Sequence, residues 1–270
     1  MEDSMRFEEK VVFVTGGMKG LGREIVKAFL REGAYVAANG RDERAKRAFE
    51  EEFGGSKVLS FLADITDYRA MEGVLKGLLD RWGRVDILVN NAGIVNRLSP
   101  AHRLEKEDFD RVVDVNLKGT FYVTQIFGRR MIEQKKGRIL VISSQAGLSG
   151  EKGLLPYAVS KAALFSLVRG IAYEWSEYGV TVCGVAPGFV AGGMNAPLMG
   201  KGEFVEHLSS RVPLRRFATT DELVDLVLFL SSEAAYYING ETVVLDGGMT
   251  GYTERSLLDF LLSRKGGRGA

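Results

Sequence analysis

The stretch SSQAGLSGEKGLLPYAVSK, residues 143 to 161, sets Tyr157 and Lys161 four residues apart, with Ser144 thirteen residues before the tyrosine. Four residues is about one helical turn, so a phenol and an ammonium would share a helix face. The chemistry open to such a pair is proton transfer. A tyrosine ordinarily titrates near ~10, too high for an efficient acid or base at neutral pH, and a positive charge beside it favours the phenolate and lowers that value. Tyr-x-x-x-Lys also arises by chance in unrelated chains, where strand, loop and helix merely carry polar residues. The rest of the chain has to decide.

Any site of this kind needs elements to position it. Short apolar runs recur along the chain as strand candidates: 11–15, 35–39, 57–63, 86–91, 138–143, 180–187 and 241–246. Most are near-continuous Val, Ile and Leu, the pattern of strands buried on both faces. Amphipathic stretches such as Glu24 to Arg31 and Ala162 to Tyr178 alternate with them. The pattern predicts an α/β fold with a doubly wound parallel sheet of seven strands in one domain, residues 1–250. Residues 251–270 form a C-terminal extension, ending in the basic, glycine-rich SRKGGRGA.

Composition narrows the function. With 270 residues, 46% hydrophobic and 26% charged, the chain is large enough for a full core. A net charge of +1 argues against nucleic acid or an acidic membrane surface as a partner. The two histidines, His102 and His207, have no Cys or His partner at ligand spacing, so no metal site is expected. Cys183 is the single cysteine and sits in an apolar run, as a buried structural thiol would. The acidic N-terminus lacks an apolar signal region, no run reaches the ~20 apolar residues of a membrane span, and the protein is expected to be cytoplasmic.

The first strand runs directly into TGGMKGLG, residues 15–22, and then into a helix. Glycines at 16, 20 and 22 let the backbone turn sharply and approach a pyrophosphate held by the amides and dipole of the helix N-terminus. The spacing differs from the common G-x-G-x-x-G fingerprint. Alone, it is weak evidence.

It is joined by seven further motifs in order: ADITD (63–67), NNAG (90–93), VNLKG (115–119), ISS (142–144), YAVSK (157–161), PGFV (187–190) and LDGG (245–248). With these the chain resembles the short-chain dehydrogenase/reductases, and within them the group that includes 3-oxoacyl-carrier-protein reductases and sugar dehydrogenases. The resemblance covers residues 10 to 250. It implies an oxidoreductase that interconverts a carbonyl and a secondary alcohol by hydride transfer.

The resemblance also implies roles. Tyr157 would protonate the forming alkoxide, or take the alcohol proton in reverse. Ser144, rather than Ser143, would donate a hydrogen bond to the substrate oxygen. Lys161 would lower the tyrosine pKa and hydrogen-bond the nicotinamide ribose, and Asn116 would order a water relay behind it. Gly16, Met18, Lys19, Gly20, Leu21 and Gly22 would form the cofactor turn. Asp64 and Ile65 would frame the adenine, Asn91, Ala92 and Gly93 would line the cofactor, and Pro187, Gly188 and Val190 would border the nicotinamide. Many relatives carry a threonine five residues after that proline, where this chain has Gly192.

Cofactor choice is read at the end of the second strand. Where NAD-using relatives place Asp this chain has Gly40, followed by Arg41, and Lys19 precedes the second motif glycine. Two cations with no carboxylate at the key position favour NADP(H), the alternative being that Asp42 or Glu43 reaches the ribose of NAD.

The substrate pocket would be ringed by Gln145, Asn96, Arg97 and the loop 151–155, under a lid at about 189–211. Gln145 and Asn96, together with Ser144 and Tyr157, are the substrate-binding candidates; hydroxyl bonding by Gln145 and Asn96 favours a sugar or polyol, whereas Phe189, Met194, Leu154 and Leu155 would instead suit a small apolar ketone. A 3-oxoacyl-carrier-protein reductase is the alternative. It is weakened because Arg129 matches one docking cation while Tyr173 stands at the other. A protein that binds nucleotide without turnover is the remaining reading. The resemblance further implies a homotetramer, built on the helices near 108–134 and 157–178.

Overall fold

Residues Val11–Val14 form β1, every side chain buried, and alternate positions feed different cores. Val12 and Val14 face one cluster and Val11 and Phe13 the other. The molecule is therefore layered, with helices on both faces of a sheet. The computed structural model describes residues 5–192, 199–200 and 202–251, so the C-terminal extension beyond 251 and part of the expected lid lie outside the described residues.

In chain order, α1 (Gly20–Arg31), β2 (Tyr35–Gly40), α2 (Glu43–Phe53), β3 (Val58–Leu62), α3 (Tyr68–Trp82) and β4 (Ile87–Asn90) follow β1. Then come α4 (Lys106–Val113), α5 (Thr120–Glu133), β5 (Gly137–Ile142), α6 (Ala146–Ser149), α7 (Leu155–Trp175), β6 (Val180–Pro187), α8 (Gly202–Ser210), α9 (Thr220–Ser231) and β7 (Thr242–Leu245). The seven strands pair in parallel in the order β3-β2-β1-β4-β5-β6-β7. Each agrees with an apolar run expected from sequence to within a residue or two. Strand order reverses between β1 and β4, and the crevice at the carboxyl ends of these strands is where such sheets bind ligands.

On one face, Ile25 and Phe29 of α1, Phe49 of α2 and Leu223 and Val227 of α9 cover the sheet. On the other, Met71 and Leu78 of α3, Val123 and Phe127 of α5 and Leu164 and Val168 of α7 do so. Phe13 stacks on Phe127 with ring centroids 4.5 Å apart. At the amino end of β5, buried Arg138 donates to the carbonyls of Leu230, Ala235 and Ile238 and to Thr181 Oγ1, tying the sheet to the last turn of α9 and the segment after it.

Two helices begin earlier than their apolar periodicity suggests. α1 starts at Gly20 rather than Glu24, because its first turn is made of the glycine motif. α7 starts at Leu155 rather than Ala162, with Pro156 in its first turn, where a missing N–H costs nothing. Between α4 and α5 the chain stays helical but widens to a π-helical stretch, Asp114–Gly119. Such bulges gather at functional sites, and this one carries Asn116.

Candidate active site

A cleft of about 950 Å³ lies over the carboxyl ends of the strands. Its floor begins at the β1–α1 turn, where Gly16 and Gly20 have φ of +63° and +51°, conformations that favour glycine. A Cβ on Gly22 would strike the Gly16 carbonyl oxygen and the Asn91 side chain, so only glycine permits this close approach. The turn is braced from two sides. Gly16 N donates to Asn39 Oδ1 at 3.1 Å, and Asn39 Nδ2 donates in turn to the Ala63 carbonyl. Thr15 Oγ1 accepts from the backbone N–H of both Asn91 and Ala92 at 2.9 Å, while Asn91 Nδ2 donates to the Thr15 carbonyl. Thr15 and Asn39 were not singled out in the sequence. The signal that could have found them is a polar residue closing an otherwise apolar strand.

At the next stretch of the cleft, Met18 is buried and packs beneath Gly40, where a Cβ would lie 2.9 Å from its sulfur. Leu21, Gly93, Ile65, Pro187, Gly188 and Val190 also line the cleft. Lys19 and Arg41 stand at its rim, each paired with a carboxylate. Lys19 Nζ bonds Asp42 Oδ2, and Arg41 Nη1 bonds Asp64 Oδ2 at 3.0 Å. Asp42 also caps α2 through the Ala45 N–H. The Lys19 bond, that cap and the charge of Lys19 hold its carboxyl below the usual range. Asp64 accepts from the Thr66 N–H and hydroxyl as well as from Arg41, and these bonds outweigh the upward pull of its partial burial.

The other half of the cleft holds the Ser-Tyr-Lys group. Tyr157, in the first turn of α7, and Ser144, two residues beyond β5, line this end of the cleft together, with Ser144 near enough to favour the phenolate. Ser144 Oγ accepts from the Ala146 N–H at 3.2 Å. Ser143 points the other way and donates to the Lys161 carbonyl at 2.8 Å. Lys161 is 3% exposed, with Nζ donating to the Ile142 carbonyl at 2.7 Å and lying 5.8 Å from the Tyr157 ring centre. Burial brings its pKa down to about 8.

The electrostatics of the protein by itself run against a lowered tyrosine pKa: burial raises that of Tyr157 and only Ser144 opposes this, so the downward pull expected from Lys161 together with an oxidised nicotinamide is not supplied by the lysine alone. The lysine ammonium is directed at the Ile142 carbonyl and is itself held away from water.

Asn116 is fully buried and makes a two-way clasp with Ile94, accepting from its N–H at 2.8 Å and donating to its carbonyl at 2.9 Å. A further bond from Nδ2 to Ser160 Oγ joins the π-helical stretch to α7. A Cβ on Gly93 would sit 3.3 Å from Asn116 Oδ1 and 3.4 Å from Lys161 Nζ, so this glycine lets the two polar groups approach the β4 loop.

Gln145 is 4% exposed and lines the cleft, with Oε1 accepting from Ser149 Oγ at 2.9 Å. Its Nε2 donates to no protein group among the described residues. Asn96 was expected in the substrate pocket, but it is not among the residues that line the cleft. Its Nδ2 donates to the carbonyls of Arg97 and Gly153, so its amide braces the loop before α7 instead. A further residue was missed. Thr220, first in α9, lines the cleft beside Gly192, and its hydroxyl donates to the Ala191 carbonyl at 2.8 Å. Nothing in the sequence links it to Gly192, twenty-eight residues earlier.

A family model described as enoyl-(acyl carrier protein) reductase, of short-chain dehydrogenase type, matches residues 16–250. The chain is 36% identical to a 3-oxoacyl-[acyl-carrier-protein] reductase of Thermotoga maritima, over 91% of this chain and 99% of that protein. It is 35% identical to a gluconate 5-dehydrogenase of Gluconobacter oxydans, over 88% and 93% respectively. The chain belongs to the short-chain dehydrogenase/reductase family. Among solved structures, a short chain dehydrogenase from Bacillus anthracis superposes with a TM-score of 0.84 at 30% identity, covering 94% of this chain and 100% of that one.

Membership makes the protein an oxidoreductase of a family that uses a nicotinamide cofactor, and the cleft fits such a group. Its length runs from the Lys19–Asp42 rim to Tyr157, and its floor is a glycine cradle that a Cβ at Gly22 would fill. No helix among the described residues is long and apolar enough to cross a membrane.

Proposed function

We propose that the protein interconverts a carbonyl and a secondary alcohol on a small polyol or hydroxyketone with NADP(H) as the cofactor. The observation that carries this is the convergence of the Tyr157 and Ser144 hydroxyls on one cleft wall, with the free Nε2 of Gln145 beside them. When bound, the nicotinamide supplies or accepts the hydride. The glycine turn and Asn91–Gly93 would hold the cofactor, with Pro187, Gly188 and Val190 bordering its reactive end.

The chain's own residues then handle the proton. In reduction, Ser144 donates a hydrogen bond to the substrate oxygen and polarises it, and the Tyr157 hydroxyl gives its proton to that oxygen as negative charge develops there. A tyrosine whose pKa is raised by burial is fully protonated at neutral pH, the form this step consumes. The phenolate left behind would be stabilised by Ser144, which opposes the effect of burial on Tyr157, and by the positive charge that an oxidised nicotinamide would bring beside it. Asn116 acts as a positioning residue, through Ile94 on one side and Ser160 on the other.

NADP(H) is supported by Arg41 and Lys19 at the rim, two cations that a 2'-phosphate would attract away from exposed carboxylates. A homotetramer is supported by apolar groups left uncovered on the expected helices, Phe121, Val159 and Tyr173 among them.

The likeness to the Thermotoga maritima protein favours a second reading, reduction of a carrier-bound 3-oxoacyl group. Purified protein assayed against polyols, hydroxyketones, diketones and acetoacetyl thioesters, by the absorbance of the reduced nicotinamide, separates the two. Gln145→Leu should lower kcat/KM for a polyol or hydroxyketone far more than for a simple diketone, because the hydroxyl of the former would be buried against an apolar side chain without its partner. Efficient reduction of the thioester with no response to polyols would give the second reading the field.

A further inference from the structure

The substrate half of the cleft has an uneven distribution of charge. Of the charged residues that line the cleft, Lys19, Arg41, Asp42 and Asp64 gather at the rim near β1–β3, leaving Glu151 and Lys161 for the other end. Lys161 is committed beneath Tyr157 by its bond to Ile142. Glu151 is therefore the charged group left to meet the far end of a substrate among the described residues.

Its carboxylate is held in place. Arg211, just after α8, bridges it at two points, Nη1 to Oε1 at 3.3 Å and Nη2 to Oε2 at 3.2 Å. The guanidinium also lies over the Phe189 ring, 5.8 Å from its centre, so it is gripped on a second side. Phe189 lines the cleft, whereas the arginine is not among the lining residues. The substrate thus meets the carboxylate and not the cation. A carboxylate has about four acceptor sites, so two stay open after the Arg211 bridge.

We propose that Glu151 sets the charge and class of the substrate: it accepts a hydroxyl from the end of the molecule remote from the reacting carbon and turns away carboxylates. This rests on the carbonyl–alcohol reading above and narrows it to neutral polyols and ketoses. Gln145 Nε2, a donor, receives the oxygen of a hydroxyl nearer the reacting carbon, and Glu151, an acceptor only, receives the proton of a more distant one. An aldonate would instead set its carboxylate against the acceptor-only oxygens of Glu151, where it finds no donor and meets a like charge that Arg211 offsets only in part.

The test uses a matched pair of probes, sorbitol and gluconate, which differ at one terminus in carrying a hydroxymethyl or a carboxylate. Wild-type protein should favour sorbitol in kcat/KM. Glu151→Gln should narrow that ratio about ten-fold, chiefly through a lower KM for gluconate, and Arg211→Gln, which strips the carboxylate of its counter-charge, should widen it. A wild-type preference for gluconate, or equal losses on both probes in both variants, would overturn the assignment. Calorimetric binding of the two probes to the cofactor-loaded protein separates this from the reaction itself. If neither probe is turned over, the polyol reading fails. Gluconate binding gained in Glu151→Gln would still uphold the charge filter, and no gain would end it.

Discussion

The two ends of the cleft are built by different means. At the catalytic end, Asn116, Ser143, Ser144 and Lys161 are buried, and most of their bonds go to backbone groups of β5, α7 and the β4 loop. At the rim, Lys19 and Arg41 are more than half exposed and paired only with side chains. Buried polar groups with backbone partners have one satisfied arrangement, whereas exposed ion pairs are worth little and are easily exchanged. The difference matches the tasks proposed for each end. Proton transfer needs atoms in place before the substrate arrives, and recognition of a 2'-phosphate needs cations that can change partners.

The sharpest way to break this comparison is at Tyr157. Tyr157→Phe keeps the ring and its packing but removes the proton. Turnover should fall by at least the ~100-fold typical of general acid catalysis, with NADPH binding nearly unchanged by fluorescence titration. Near-normal turnover would mean that the catalytic end is only a scaffold.

At the rim, Lys19→Ala combined with Arg41→Ala should weaken NADPH binding about ten- to a hundred-fold and NADH binding little. Charge-assisted bonds to phosphate are strong, and the surface pairs given up to form them return little. An unchanged preference between the two cofactors would show that another group reads the ribose. Both effects should differ in salt dependence, since only the exposed cations are screened.

Burying Lys161 carries a cost that the rim cations escape. Its pKa of about 8 lies below the ordinary 10.5, so the unfolded chain binds more protons between those values. Below about pH 8 the penalty is complete, and it fades as pH rises towards 10.5. Lys161→Met should therefore abolish turnover while raising stability at pH 7 by roughly 1 to 3 kcal/mol, as measured by urea unfolding. The gain should shrink at higher pH. A destabilised variant would show that the bond to Ile142 outweighs desolvation.

What could be read from sequence follows the same division. The strands were legible because both faces of the sheet are covered, which leaves runs such as Val180–Pro187 buried throughout. Ser144, Tyr157 and Lys161 were legible as a group because strand, loop and helix lie consecutively in the chain. Where a side chain points within a loop is another matter. Asn96 carried the chemistry of a substrate contact, but the path of the β4 loop turns its amide to Gly153. Thr15 and Asn39 act through backbone groups of distant segments, which no local pattern encodes. The pairing of Lys19 with Asp42 and of Arg41 with Asp64 was likewise out of reach, since it depends on how closely β1, β2 and β3 bring their carboxyl ends together.

The smallest effect gives the finest test of the rim. Asp42 has two duties, as the cap of α2 through Oδ1 and as the partner of Lys19 through Oδ2. Asn caps a helix as well as Asp does, so Asp42→Asn removes the charge and keeps the cap. With its carboxyl held below the usual range, chiefly by the Lys19 bond, Asp42 stays ionised and the pair is intact under ordinary assay conditions. Freeing Lys19 from an exposed pair should tighten NADPH by about two- to five-fold, the scale of a surface ion pair, with NADH unaffected. If the variant instead binds NADH more weakly and leaves NADPH alone, Asp42 is the residue that meets the ribose, and the rim was built for the unphosphorylated cofactor.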